Sequence, residues 1–569
     1  MLTLNNLKLT QKTLALAGIS AFVFLGVSAV NAQSVPDAGS LLQQIEKDIK
    51  PQLPSKSAPQ FVSPPPMQSL GGEKVEVKHF KFVGNTLLNI AQLEPVVTSF
   101  LNRPIDFATL QNVAIQVAAA YRQAGWVVRV YLPQQDIVNG IVTIQIVEAV
   151  LGTVRLEGAP TRVNAAQVKK LVETSQPVGS PLNGDSIDRA LLLIDDLPGI
   201  SATGRLSEGQ NQGETDLVLA VSDSPLLSGE LAADNAGARS TGEGRLMANV
   251  MASSPAGIGD LAFATLIHSE GSDYLRAAYT LPVGSSGWRL GLNASHLSYQ
   301  VLTPGLTQAD GTSSTSGLEA SYPLLRSRTS NVYLAMALDY KDFDNRNGGA
   351  VTTRYKSQVA SLSVNGNLFD DLGIGGATNG GLSLIKGNLN LAGSPNEAAD
   401  AATTQTAGSF QKLRFAVARQ QVLTKDMSFY AGIAGQRASK NLDSSEKFYL
   451  GGVGGVRAYP ATEGGGTEGH ILNLELRARL PTNFSVAGFY DHGSVAINKN
   501  NAIVGAAAPN NFDLKGVGVS VGWTASFGLT VKATLARRIG DNPNPTLTGS
   551  DQDGSLTKNR FWLQANLPL

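Results

Sequence analysis

Residues 472–480 read Leu472-Asn473-Leu474-Glu475-Leu476-Arg477-Ala478-Arg479-Leu480. Apolar and polar residues alternate without a break. In an extended chain the leucines and Ala478 share one face, and Asn473, Glu475, Arg477 and Arg479 share the other. The same period of two returns further on. Leu529, Val531, Ala533 and Leu535 oppose Thr530, Lys532 and Thr534, and Phe561, Leu563, Ala565, Leu567 and Leu569 line one side of the last segment. After Pro225 helical periodicity is gone, and segments of 10–14 residues alternate in this way between stretches rich in Gly, Asn, Asp and Ser.

In a soluble sandwich an apolar face meets a second sheet. In a membrane barrel it meets lipid, and the polar face lines a wet interior. Connection lengths separate the two. Sixteen strands are predicted between 227 and 569, among them 315–325, 331–343, 355–369 and 380–393. Connections after even-numbered strands are mostly very short, as at 284–287, 425–426 and 482–483. Those after odd-numbered strands are often long and polar, as at 302–314, 394–410, 440–469, 498–513 and 540–558. Short turns on one rim and long loops on the other mark an outer-membrane barrel, and an even strand number is what bacterial barrels require. Sixteen strands enclose an aqueous channel. The expected fold class is therefore a 16-stranded antiparallel transmembrane β-barrel over 226–569, preceded by α+β units.

Upstream of the barrel the chain divides further. Residues 1–32 hold Lys8 and Lys12, an apolar run from Thr13 to Val30, and small residues at Val30 and Ala32. This is the pattern of a secretory signal peptide cut after Ala32, with an N-terminal membrane anchor as the alternative because the apolar run approaches the length of a spanning helix. No other apolar run is long enough for a membrane-spanning helix. Within 33–50, Leu41, Leu42, Ile45 and Ile49 fall on one face of a short amphipathic helix that Asp37 or Ser40 can cap. Residues 51–74, with Pro51, Pro54, Pro59 and Pro64-Pro65-Pro66, read as an extended linker. Residues 75–149 give a strand ending at Gly84-Asn85, helices near 90–101 and 107–124, and strands at 127–132 and 141–147. Residues 150–225 repeat that order, with a strand at 153–156, helices at 165–174 and 187–197, and strands at 200–206 and 215–221.

Composition excludes several functions. The chain has 45 Lys+Arg and 45 Asp+Glu in 569 residues; without residues 1–32, which carry two lysines and no acids, the balance is 43 against 45, about −2. A polyanion binder acting through bulk charge does not fit. With no cysteine, disulfide scaffolds and cysteine-ligated metals are out. Gly518-Val519-Ser520-Val521-Gly522 has the G-x-S-x-G spacing, but it sits inside a predicted strand, without the strand-to-helix turn of a nucleophile elbow. Gly452-Val453-Gly454-Gly455 lacks the context of a phosphate loop. His79, His268, His296, His470 and His492 show no zinc-like spacing. No catalytic, cofactor-binding or metal residue is assigned.

The most unusual segment is the connection 440–469. Its Gly451-Gly452-Val453-Gly454-Gly455-Val456-Arg457-Ala458-Tyr459-Pro460 run allows tight turns close to a wall. An arginine and a tyrosine at its centre suggest a loop folded inward and pinned there; composition alone fits an ordinary flexible surface loop equally well. Asp491, in Phe489-Tyr490-Asp491-His492-Gly493 of the strand 484–497, is the candidate partner. Alternation alone leaves its side undecided; an aspartate in lipid would be costly, which favours inward.

Taken together, these stretches resemble the outer-membrane transporters of two-partner secretion systems, the POTRA–barrel proteins that export haemolysins and filamentous haemagglutinins. Phe80-x-Phe82-x-Gly84-Asn85, Tyr121-Arg122-Gln123-Ala124-Gly125-Trp126 and Tyr131-Leu132-Pro133-Gln134-Gln135-Asp136 resemble the first POTRA domain, 75–149. Leu191-Leu192-Leu193-Ile194-Asp195-Asp196-Leu197-Pro198-Gly199-Ile200 and Gly213-Glu214-Thr215-Asp216-Leu217 resemble the second, 150–225. In the barrel, Val456-Arg457-Ala458-Tyr459 is similar to the family's loop signature, Phe489-x-Asp491-x-Gly493 to its partner strand, and Asn473-x-Glu475-Leu476-Arg477 to a further strand motif. Ala458 stands where the family usually has glycine. The chain ends in Leu569 rather than the aromatic residue common in such barrels, with Phe561 and Trp562 nearby.

The resemblance implies a Gram-negative outer-membrane pore with its POTRA domains in the periplasm. They would capture an unfolded partner, a large secreted exoprotein with an N-terminal secretion domain. Residues 33–50 would thread the resting barrel as a plug helix, and Arg457 and Asp491 would hold the inward loop. Outer-membrane lipid and the barrel-assembly machinery are the other implied partners, and no nucleic acid, nucleotide or cofactor is. An insertase of the same superfamily and a plain diffusion porin are the alternatives; the first usually carries more POTRA units and the second needs none. An outer-membrane lipase lacks a triad.

Overall fold

The computed structural model describes residues 36–48, 74–158, 160–211, 213–302 and 308–569. The expected signal peptide, nearly all of the proline-rich linker, and Ile49 lie outside the described residues. The first described element is helix α1 (Ala38–Asp48). Asp37 rather than Ser40 caps it: its Oδ1 accepts from the Ser40 backbone N–H at 2.7 Å.

The next unit contains β1 (Val75–Glu76), β2 (His79–Val83), α2 (Ile90–Val97), β3 (Pro104–Ile105), α3 (Phe107–Gln123), β4 (Val128–Tyr131) and β5 (Ile141–Glu148). α2 starts on a capping box, where Asn89 and Gln92 satisfy each other's backbone N–H. It ends earlier than expected, at Val97, and a 3₁₀ turn takes over at Thr98–Phe100. Phe80, Leu93, Val113, Val117, Tyr121 and Ile144 form the core between sheet and helices. The second unit contains β6 (Val150–Glu157), α4 (Ala165–Ser175), α5 (Gly184–Asp195), β7 (Ile200–Glu208) and β8 (Glu214–Asp223). Both units use one sheet pattern. In the first, β5 is central, parallel to β2 and antiparallel to β4. In the second, β8 is central, parallel to β6 and antiparallel to β7. The tandem repeat read from element order is thus one topology used twice.

The barrel opens with β9 (Leu227–Asp234), β10 (Arg245–Ser253), β11 (Leu261–Ser269), β12 (Ser272–Val283) and β13 (Trp288–Gln300). Then come β14 (Ala309–Arg326), β15 (Ser330–Asn347), β16 (Ala350–Asp370) and β17 (Gly376–Asn390). A short helix, α6 (Glu397–Ala402), precedes β18 (Gly408–Val422) and β19 (Met427–Ala438). Two-residue strands β20 (Phe448–Tyr449) and β21 (Gly465–Gly466) pair with each other inside the following connection. β22 (Glu468–Leu480), β23 (Phe484–Ala496), β24 (Asn511–Thr524), β25 (Thr530–Arg538) and β26 (Asn559–Pro568) complete the wall. Sixteen strands close into one cylinder, with β26 antiparallel to β9 through Gln564–Asp234 to Pro568–Glu230.

All sixteen expected strands are present, but β14, β15 and β16 run well past their expected ends, and β17 is shifted to 376–390 from the expected 380–393. β14 and β15 are 18 residues long and β16 is 21. About 9–11 residues cross the hydrocarbon. The remainder stands above it, with polar residues outward and Lys341, Phe343 and Asn345 turned to the lumen, so segments such as Asp339–Asn347 need not alternate. The expected loop 344–354 is accordingly reduced to a turn at Gly348–Gly349 between two paired strands.

The second α/β unit docks on the short-turn rim. Arg326 makes two hydrogen bonds to Asp196 at 2.9 and 2.8 Å, and Arg328 two to Asp188 at 2.9 and 2.7 Å. Ser254 donates to the Arg162 carbonyl at 2.5 Å. These contacts place the α/β units on one side of the barrel and the long loops on the other.

Candidate functional site: two inserts in the barrel lumen

The connection between β19 and β22 turns inward. Its glycines make the bend feasible: a Cβ on Gly451 would stand 1.9 Å from the Pro460 carbonyl oxygen, and one on Gly455 1.9 Å from that of Leu450. The tip carries Val456, Arg457, Ala458 and Tyr459, all buried against the wall.

Strand register prepares the receptor for that tip. β22 and β23 pair so that Asn473 lies opposite Asp491 and Glu475 opposite Phe489. The pleat turns Asn473, Glu475, Arg477 and Asp491 inward and leaves leucines such as Leu476 and Leu480 exposed on the outside. Asp491, whose side alternation left undecided, is fully buried in the lumen. Arg457 reaches it with Nε at 2.9 Å and Nη2 at 2.7 Å, and its backbone N–H adds a third bond to the same carboxylate at 3.0 Å. Arg457 Nη1 donates to Glu475 at 2.6 Å, and the guanidinium lies 3.5 Å from the Phe489 ring centre. Asn473 donates to Asp491 at 2.7 Å and to the Gly455 carbonyl at 3.1 Å. Arg477 holds the other Glu475 oxygen at 2.7 Å and stacks on Tyr430.

Two wall glycines give the tip room. A Cβ on Gly493 would touch Val456 at 3.0 Å, and one on Gly516 would touch the Ala458 methyl at 2.7 Å. The Ala458 methyl fills the hollow that Gly516 leaves. Trp562 extends the receptor: its indole N–H donates to the Arg457 carbonyl at 2.8 Å, so this residue faces the lumen, not lipid. Sequence reading did not place Trp562 here, because its contact spans 105 residues and follows no local pattern.

Helix α1 is the second insert. Leu41, Leu42 and Ile45 pack on Tyr274, Leu297, Tyr299, Phe343 and Tyr355 of the inner wall. Polar contacts ring this apolar seat. Asn345 accepts from the Ala38 N–H at 2.8 Å, Arg414 donates to Gln43 at 3.0 Å, and Gln44 donates to the Ala236 carbonyl at 3.2 Å. Lys47 bonds the carbonyls of Tyr449 and Gly451 at 3.0 and 3.2 Å, which ties α1 to the base of the inward loop. Lys341 lies 3.8 Å from Glu46 of the helix and 3.6 Å from Glu446 of the loop, and Lys412 pairs with that same Glu446. Lys341, Lys412 and Glu446 had no sequence signal beyond their alternating positions.

Of the sequence-stranded motifs, Ser520 lies mid-strand in β24 and shares a hydrogen bond with Thr534. His470 and His492, far apart in sequence, come together on the outer wall with ring centres 6.0 Å apart, and His492 stands 3.6 Å from Asp513. Among the described residues no group of acids and histidines is arranged to hold a metal ion.

Comparisons with known proteins agree with this architecture. The chain is 26% identical to the heme/hemopexin transporter protein HuxB of Haemophilus influenzae over 579 aligned positions, 98% of this chain and 99% of that one. It is 22% identical to the outer membrane transporter CdiB of Dickeya dadantii over 72% of this chain and 73% of that one. Among solved structures, CdiB from Escherichia coli superposes with a TM-score of 0.70 at 18% identity, covering 95% of this chain and all of the other. BamA from Haemophilus ducreyi, lacking its first three POTRA domains, shares the fold at a TM-score of 0.53 and 14% identity, over 87% of this chain and all of the other. The pattern of a POTRA domain of ShlB type matches residues 75–149, and that of the haemolysin secretion/activation protein ShlB/FhaC/HecB matches residues 213–524, more than half of the chain. The protein therefore belongs to the ShlB/FhaC/HecB family of haemolysin secretion/activation proteins, outer-membrane transporters rather than enzymes.

Proposed function

We propose that this transporter takes an unfolded exoprotein from the periplasm and passes it through the barrel to the cell surface, with α1 and the inward loop as the two obstructions that cargo must move. The observation that carries this reading is the way the lumen is filled. Both inserts are joined to the wall by apolar packing and by a set of side-chain hydrogen bonds and ion pairs, and the polar part is one that water or a passing backbone can replace. The apolar seat of α1 is small, three side chains worth about 1.5–3 kcal/mol each when buried. That keeps the pore shut at rest and leaves its opening within reach of cargo binding.

Capture would use the two α/β units. Their sheet orders leave β2 and β4 at the edges of the first and β6 and β7 at the edges of the second. An extended segment adding to such an edge gains backbone hydrogen bonds without demanding one sequence. Export needs no nucleotide in this scheme: once cargo folds outside, it no longer fits the lumen and cannot return.

The test is co-expression with a candidate exoprotein, one copy carrying an engineered disulfide that locks a folded domain. The reduced form should appear outside the cell, and the locked form should stall with its leading part exposed. Equal secretion of both forms defeats the proposal, and so does secretion that does not depend on this protein. Assembly of other barrels failing on its deletion would instead identify an insertase.

A further inference from the structure

A closed barrel ordinarily presents a convex wall to lipid. Here the wall is dented across β13 to β19, where a recess of about 1250 Å³ opens outward. Much of its lining comes from the lipid-facing side of the pleat. Leu290, Leu318, Leu338, Leu362 and Leu384 are between 43% and 60% exposed. Register joins them into one strip: Leu318 lies opposite Leu338, Leu362 opposite Leu384, and Leu384 opposite Leu413. The hollow comes from small residues set among the leucines. Ala320 is opposite Leu290, and Ala360 is opposite Leu338.

The strip changes character at one end. Ala360 pairs with Lys386, and Leu413 with Arg437. Lys386, Arg437, Glu468 and Lys499 line the recess there. Glu468 is held by Arg437 at 3.1 Å and by Lys499 at 2.8 Å. Three cations against one carboxylate leave an excess of two positive charges. Arg437 and Glu468 flank the long 439–467 connection and Lys499 lies in the next one, so this end belongs to the rim opposite the α/β units. A cation on the lipid face costs roughly 2–4 kcal/mol at mid-membrane but only about 0–1 at the interface. At that level the groups complementing it are anionic head groups.

We propose that this groove is a binding site for one phosphorylated, multi-acylated glycolipid of the outer leaflet, with acyl chains along the leucine strip and a head-group phosphate on Lys386, Arg437 and Lys499. The volume supports this ligand class, exceeding the ~300–1,000 Å³ usual for a single drug-sized molecule. Charge argues against a second copy of the barrel as occupant. Two copies in one membrane, related by a two-fold axis along its normal, would set this cationic end against itself at the same depth. The proposal does not depend on the identity of any cargo.

Native mass spectrometry of the full-length protein released from detergent micelles tests it, with diphosphoryl lipid A as the probe. One lipid A per chain is expected to stay bound, with at least tenfold weaker retention of dephosphorylated lipid A and of phosphatidylglycerol. The triple variant K386Q/R437Q/K499Q should lose binding at least tenfold while its heat-modifiable migration on gels shows a folded barrel. Ala360→Trp, which fills the groove and keeps every charge, should lose it as well. Equal retention by both variants and the parent overturns the site. Equal retention of phosphatidylglycerol reduces it to general attraction of anionic lipid and also overturns it, as does a dimer that Ala360→Trp dissociates.

Discussion

Arg457 presents both edges of its guanidinium to carboxylates, Asp491 on one and Glu475 on the other. Removing it leaves a fully buried aspartate without its cation, a change that costs about 3–5 kcal/mol when a buried pair is broken. Arg457→Ala is therefore expected to free the loop tip and abolish cargo export while the barrel still inserts. Arg457→Lys keeps the charge but loses the forked contact, so partial export is expected. Immunoblots of secreted cargo beside heat-modifiability gels check both, and normal export by the alanine variant would refute the pin. A second residue acts in the first α/β unit. Burial raises the Glu148 carboxyl, but hydrogen bonds from the Thr86 hydroxyl, the Leu87 and Thr86 N–H groups and the Tyr121 hydroxyl outweigh it, so its pKa lies below the usual carboxylate range. A depressed pKa gives stability that is present above the unfolded value and lost as pH falls through the folded one. Glu148→Gln should thus weaken this unit at neutral pH, by about 0.5–1.5 kcal/mol for a partly exposed hydrogen-bonded carboxylate. The gap to the parent should shrink as pH falls below about 4, read by amide exchange over 75–149; a gap independent of pH would contradict this role.

At the scale of elements, α1 and the inward loop are separate in sequence and joined in the lumen. Lys47 bonds the loop backbone, and Lys341 stands between Glu46 of the helix and Glu446 of the loop. Deleting residues 33–50 should raise single-channel conductance in planar bilayers and leave the barrel folded. Unchanged conductance would reject a plug role. Replacing Leu41 and Leu42 together by Ala removes part of the apolar seat, about 2–5 kcal/mol per side chain at a packed site. The channel should then flicker between low and high conductance. The polar half of the lumen explains why helix and loop were legible only as separate pieces: each carries its own local signal, but nothing local couples Lys47 to Tyr449 across about 400 residues.

Across the whole molecule, two forked ion pairs, Arg326–Asp196 and Arg328–Asp188, clamp the second α/β unit to the turns of the barrel. Substituting both arginines by Ala should let that unit swing. Faster amide exchange is expected over 184–200 and in the turn 327–329, with no change across β18 to β24; unchanged exchange at the junction would show that the remaining contacts suffice. Cargo handed from the periplasmic units to the lumen would lose its fixed path, and export is expected to fall several-fold.

The alternation in Leu472–Leu480 and its fellows was enough for a barrel, because a pleated strand between lipid and water must sort its side chains residue by residue. Element order was likewise enough for the repeated α/β units, since their helices show the 3.6-residue period and end at Gly, Pro or Asn signals. The contact of Arg457 with Glu475, the hydrogen bond from Trp562 to the Arg457 carbonyl, the Lys341–Glu446–Lys412 cluster and the dent in the outer wall came only with the closed cylinder. Each depends on which strands become neighbours and at what register, and on which loop folds inward. Those choices are made by contacts between residues far apart in the chain, where the period of one strand carries no information about its partner.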